Sequence, residues 1–146
     1  VHSRNNNFDA AEQSLRDAQA INMEIGQLSE LAANHYMLAS IYSRQDRLDD
    51  ALNEASRALE IDKQIENPVG IAADLKALGL ISRKAGELES AYDYLKRSLY
   101  VVAAVGLSME APGVLGALEE VATELGREAD AAEYLRQLEE LEAPAR

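Results

Sequence analysis

The chain has no cysteine, no tryptophan and one phenylalanine in 146 residues. Without cysteine there are no disulfide staples and no thiolate-ligated metal sites. With aromatics at only 5%, alanine and aliphatic residues must carry the interior, which suits closely packed helices. Positive charge is also scarce: 14 Lys and Arg face 26 Asp and Glu, a net charge of −12. Such a surface cannot displace the counterions of a nucleic-acid backbone, and it disfavours docking on anionic lipid. No apolar run approaches the roughly 18–20 residues of a membrane span. The longest, Leu99 to Leu107, argues against direct membrane insertion. A signal-peptide pattern is missing too.

Catalytic constellations are equally sparse. Of the two histidines, His2 lies at the chain start and His35 sits on an otherwise apolar helical face. The expectation for His35 is a partly buried ring with one hydrogen bond. No His or carboxylate cluster has metal-ligand spacing. There is no glycine-rich phosphate loop and no nucleophile elbow. The reading is therefore a protein that is not an enzyme, with no catalytic residue, no cofactor and no metal site. The chain opens on Val1, which reads as a piece of a larger protein. The cytoplasm is the default compartment, with a periplasmic or lipid-anchored parent left open.

What the chain does have is a repeat. Phe8 to Leu15, Leu48 to Ala55, Leu88 to Leu95 and Glu128 to Leu135 align at a spacing of 40 residues without a gap. Ala11, Ala51, Ala91 and Ala131 fall in register, as do Ile21, Ile61, Val101 and Leu141. A fixed period of 20–50 residues signals a solenoid built from one supersecondary unit. The apolar spacing is helical throughout: Leu28, Leu31, Ala32, His35, Leu38, Ala39 and Tyr42 follow i, i+3, i+4, i+7. From Leu48 to Ile65 the same pattern holds with Asp62 as its polar exception. Nothing alternates with period two, so no sheet is expected.

Breaks recur at matching places. Gly86 and Gly126 stand where a helix end takes a residue of positive φ, and Asp46 takes the corresponding place earlier. Gly26-Gln27, Asn67-Pro68 and Gly106 to Ser108 separate the pairs, with Pro68 and Pro112 suited to opening helices and Ser108 to capping one. About seven helices follow, over 8–25, 28–44, 48–66, 69–85, 88–105, 111–125 and 128–142. Residues 1–7 read as the remnant of a truncated first helix. The solenoid covers 8–142 in units 8–27, 28–67, 68–107 and 108–142, followed by a tail at 143–146.

The pattern Leu38-Ala39-x-x-Tyr42, then Leu48, Ala51, Ala55, Ala58 and Leu59, resembles a tetratricopeptide repeat. Leu78-Gly79, Leu88, Ala91, Leu95, Ser98 and Leu99 repeat it, and Leu118, Ala131 and Leu135 form a degenerate copy. The usual unit has 34 residues. A 40-residue period is similar to the long-helix variant seen in bacterial regulatory proteins, kinesin light chains and polarity scaffolds. The resemblance implies an all-α, right-handed superhelical solenoid of antiparallel helix pairs, working as a protein-interaction scaffold. In such a fold Ala51, Ala91 and Ala131 mark the crossing of two helices, with Ala39 and Gly79 opposite and Leu38, Leu78 and Leu118 as neighbouring knobs.

The resemblance also implies a concave groove lined by the first helix of each pair. Its positions are Ala33, Tyr36, Ser40, Ser43 and Arg44, then Ala73, Lys76, Leu80, Arg83 and Lys84, then Gly113, Gly116, Glu120, Thr123 and Glu124. The Lys and Asn pair by which some relatives clamp a carboxylate terminus is not reproduced. Instead Arg44, Lys76, Arg83 and Lys84 collect on one wall beside Tyr36, Ser40 and Leu80. Such a wall suits a peptide or partner segment with an acid and an apolar anchor. Arg44, Arg83 and Lys84 sit in last turns, where the helix dipole favours cations without any ligand; Lys76 does not. A second surface, Phe8, Leu15, Ile21 and Ile25, is an apolar stripe suited to a homo-oligomer.

Overall fold

The computed structural model describes residues 6–144, except for the side chains of residues 6–9, 11, 12, 15 and 19. The described residues form six helices and no strand: α1 (Asn6–Arg44), α2 (Leu48–Gln64), α3 (Pro68–Lys84), α4 (Leu88–Val105), α5 (Ala111–Glu124) and α6 (Glu128–Glu142). The count is one below the seven expected, because the segments 8–25 and 28–44 are a single helix. Gly26 has no positive φ, and no proline or side-chain cap follows it. A glycine inside a helix costs only about 1 kcal/mol relative to alanine, too little to break the rod. Asn6 and Asn7 belong to α1 rather than to a separate remnant; residues 1–5 lie outside the described part.

Every later turn is closed by the same device. The N–H groups of Arg47, Glu87 and Arg127 donate to the carbonyls of Tyr42, Ser82 and Ala122 at 2.8–2.9 Å. Asp46, Gly86 and Gly126 supply the left-handed residue at φ of 59°, 81° and 76°. Between pairs, Asn67 and Leu107 donate to the carbonyls of Asp62 and Val102, with Glu66 and Gly106 left-handed. These i to i+5 closures satisfy carbonyls that the helix end would leave open. They recur every 40 residues, so the sequence period is also a backbone period. Asn67 caps α3 by accepting the N–H of Gly70 at 3.3 Å, ahead of Pro68. Ser108 caps nothing: Glu110 occupies that position before α5.

Each helix packs on its sequence neighbour, and the first helices of successive pairs also meet, α1 with α3 and α3 with α5. The small residues stand at the crossings, with Ala39, Ala51 and Ala91 at most 1% exposed. A Cβ on Gly79 would lie 2.7 Å from Leu95 Cγ, so α3 and α4 meet at a distance only glycine allows. Leu78 and Leu118 are the buried knobs expected, but Leu38 is exposed, since the side of α1 it faces has no helix against it. His35 is half-buried and its Nδ1 pairs with Glu54 Oε2 at 2.5 Å, tying α1 to α2. At the far end Tyr92, Tyr134 and Asp130 form a hydrogen-bonded cluster between α4 and α6.

Candidate functional site: the concave groove

The helices α1, α3 and α5 form one wall, and the two gaps between them differ. Between α1 and α3 lies an open cavity of about 230 Å³. Tyr36, Ser40, Ser43 and Arg44 of α1 line it opposite Lys76, Leu80 and Ile81 of α3. Five of the residues singled out from the sequence thus share one cavity. Arg44 is steadied by a hydrogen bond from its Nη2 to Ser40 Oγ at 3.2 Å. Lys76 makes no ion pair among the described residues, and its amine lies over Gly113 of α5, where a Cβ would come within 2.6 Å of it. Tyr36 and Leu80 are each 40% exposed and present their apolar bodies to the same cavity.

The other two cations are not brought into this cavity. Arg83 pairs with Glu120 at 2.6 Å and with Glu124, bridging α3 to α5. The hydrogen bonds to Glu124, and then to Glu120, hold its guanidinium above its ordinary pKa. Lys84 donates to the Ser43 carbonyl oxygen and lies 3.2 Å from Asp46, pinning the turn after α1. Helix-end position explains these two charges, which have intramolecular partners.

Sequence reasoning did not find a second pair of groups in the same gap. Asp62 of α2 and Asp74 of α3 are 4% and 1% exposed, and both line a further cavity of about 260 Å³ whose rim includes Tyr36. Asp62 accepts a hydrogen bond from Asn67 Nδ2 at 3.2 Å. It lies so close to the start of α3 that a Cβ on Gly70 would come within 2.5 Å of its carboxylate. Asp74 Oδ2 has no hydrogen-bond partner among the described residues. Burial, then the hydrogen bond and charge of Asp62, push the Asp74 carboxyl up to about 9. A signal for half of this pair was present: Asp62 interrupts the apolar stripe of α2. Asp74, between Ala73 and Leu75, carried none.

Of the proposed self-association stripe, Ile21 and Ile25 are 57% and 44% exposed. The side chains of Phe8 and Leu15 lie outside the described part. Among the described residues no group of three or more His, Asp or Glu could hold a metal ion, and no helix is long and apolar enough to cross a membrane.

The helix pair at the start of this groove matches a known family model, described as tetratricopeptide repeat, over residues 32–65. Residues 32–65 are a tetratricopeptide repeat. The tetratricopeptide-type fold extends well beyond them. Aspartyl phosphate phosphatase F from Bacillus subtilis superimposes with a TM-score of 0.76 at 19% identity, over 78% of this chain and 30% of its own. The tetratricopeptide-repeat domain of Arabidopsis FLU does so with a TM-score of 0.72 at 18% identity, over 76% of this chain and 93% of that domain. At these identities the likeness is one of fold. This chain therefore spans under a third of the phosphatase and nearly the whole of the FLU domain. A comparison with curated proteins found no match.

Proposed function

We propose that this tetratricopeptide-type solenoid is a protein-interaction adaptor that takes an extended segment of a partner protein in the gap between α1 and α3. One observation carries the reading: Tyr36 and Leu80, two large half-exposed anchors, sit in a concave gap beside Arg44 and Lys76, on a chain of net charge −12. Tyrosine and arginine are the residue types on which interface energy concentrates. A local cationic spot on an acidic protein favours a segment with an acidic residue next to an apolar one, and steers its approach. The chemistry needed is recognition alone, with no reacting group.

The test is a displayed-peptide selection on the chain, followed by fluorescence polarisation with the selected peptides. An acidic-apolar consensus is expected, with affinity falling at least about tenfold, or 1.4 kcal/mol, in Arg44→Glu/Lys76→Glu. Equal binding by that variant would place recognition elsewhere.

A second reading has its own observation. Ile21 and Ile25 of α1 are 57% and 44% exposed on one side of the helix, an apolar surface suited to a second copy of the chain. Sedimentation across a hundredfold concentration range checks it. A rising mass that Ile21→Lys/Ile25→Lys abolishes is expected under this reading, and a constant monomer mass opposes it.

A further inference from the structure

Next to the cationic gap lies its electrostatic opposite. Tyr36 borders both cavities: Arg44 and Lys76 flank it in one, Asp62 and Asp74 in the other. We infer that the second cavity is a binding site for a cationic side chain, a lysine ammonium or an arginine guanidinium, so that the groove reads a partner segment carrying a base on one side of its apolar anchor and an acid on the other. The polarity of the segment rests on the groove reading above; the cationic site does not.

The argument begins with what the cavity leaves unmet. Asp74 is 1% exposed, yet its Oδ2 has no hydrogen-bond partner among the described residues. A buried polar atom without a hydrogen-bond partner is costly to the fold, and more so when charged. This atom belongs to a residue that lines a cavity rather than close-packed interior. Around it the walls are small or flexible: Ala32, Ala33 and Ala73, with the exposed Met37 beside them. These walls suit the methylene stem of a long basic side chain, which buries its carbons and presents its charge at the tip. At about 260 Å³ the space lies just below the roughly 300–1,000 Å³ of sites for whole small molecules.

The second carboxyl is held in place by construction. Asn67 donates to Asp62 Oδ1 while its own Oδ1 caps α3, and Gly70 leaves the room that any other residue would fill. Negative charge on Asp62 also gains from the N-terminus of α3. An entering ammonium would find one oriented carboxylate and one carboxyl whose free oxygen it can engage. Its donors would reach both, and its charge would offset the repulsion from Asp62 that helps Asp74 keep a proton. The titratable groups facing Asp74 across the cavity are Asp62 from α2 and Tyr36 from α1. Next to it, α4 meets α3 through the neutral Ser98, whose hydroxyl donates to the Ala72 carbonyl at 2.8 Å.

The experiment uses n-butylammonium chloride as the probe and n-butanol and sodium butanoate as controls, on the whole chain labelled with ¹⁵N. The reporters are the Asn67 side-chain amide and the Gly70 backbone amide. Saturable shifts with butylammonium alone are expected, with an apparent Kd of about 10 mM for so small a ligand. Asp74→Asn, with an unchanged circular dichroism spectrum, should weaken them at least about tenfold, and Asp62→Asn likewise. No saturable shift, an equal response to butanol, or a response retained in both variants would overturn the site. Arg44→Glu/Lys76→Glu separates the two readings, because it weakens acidic-segment binding at least about tenfold without weakening the butylammonium response. A butylammonium response together with peptide binding indifferent to that variant would sink the groove reading and leave the cationic site standing.

Discussion

The two gaps of the concave wall are built from the same repeat and have become opposite things. Between α3 and α5, Arg83 is clamped by Glu120 and Glu124, and Lys76 leans over Gly113. Between α1 and α3, the matching space is open, with Tyr36 and Leu80 half-exposed and buried carboxyls behind them. The difference comes from charge placed 40 residues apart. Glu120 and Glu124 of α5 answer Arg83 of α3, whereas in the open gap Leu80 and Lys84 of α3 stand in the places of those carboxylates and Ser43 of α1 in the place of Arg83. A repeat gives every gap the same backbone, and side chains decide which gap the protein fills itself.

The sharpest way to break that comparison is through α3, which both gaps share. In Gly79→Leu the new Cβ would fall within 3 Å of two Leu95 atoms, forcing α3 and α4 apart. A loss of about 3 kcal/mol is expected from urea unfolding, near the upper end for overpacking, and both gaps should deform together. A loss below about 1 kcal/mol would mean that the helices yield without strain.

The next effect is confined to the open gap. Asp74 holds its proton up to about 9 in the folded chain, against 3.8 for an ordinary aspartate. Between those values the folded state binds the extra proton, so stability falls as pH rises, by at most about 1.4 kcal/mol per pH unit from this group. Asp74→Asn removes that slope. Its amide can donate to Asp62, so the variant should be the more stable protein above pH 6, by a margin that widens toward pH 9. Thermal melts at pH 5, 7 and 9 check the sign; parallel curves for parent and variant would contradict it.

The smallest effect belongs to the closed gap. Glu120→Gln/Glu124→Gln releases Arg83, and partly exposed pairs of this kind are worth no more than about 1 kcal/mol. Stability should hardly change in chemical denaturation, while a second acidic peptide gains a place to bind. Calorimetry should then show a stoichiometry above that of the parent.

Much of this fold was legible in the sequence because the 40-residue period acts on the backbone. Asp46, Gly86 and Gly126 end helices in the same left-handed conformation, and each is visible as a break in apolar spacing. Gly26 was misread for the same reason: it looks like those glycines but lacks the following turn closure, and the helix runs through it. The site was half legible. Tyr36, Ser40, Arg44, Lys76 and Leu80 converge because helical register places them on one face. Arg83 and Lys84 could not be separated from that group, since their partners are set by packing between repeats and not by spacing along one helix. Asp74 was invisible for a related reason: its meaning comes from Asp62, twelve positions away on the preceding helix.

The unbroken α1 has a geometric consequence of its own. Its 39 residues make a rod of about 58 Å, along which position and direction advance together, 1.5 Å and roughly 100° per residue. The exposed Ile21 and Ile25 and the groove residue Tyr36 ride on the same screw. One residue inserted after Gln27 would move the isoleucines by little more than a bond length, yet swing them by more than a quarter turn about the helix axis relative to the groove. The two surfaces are therefore locked in phase, and the chain can change its reach along α1 without turning its faces only in steps of whole helical turns.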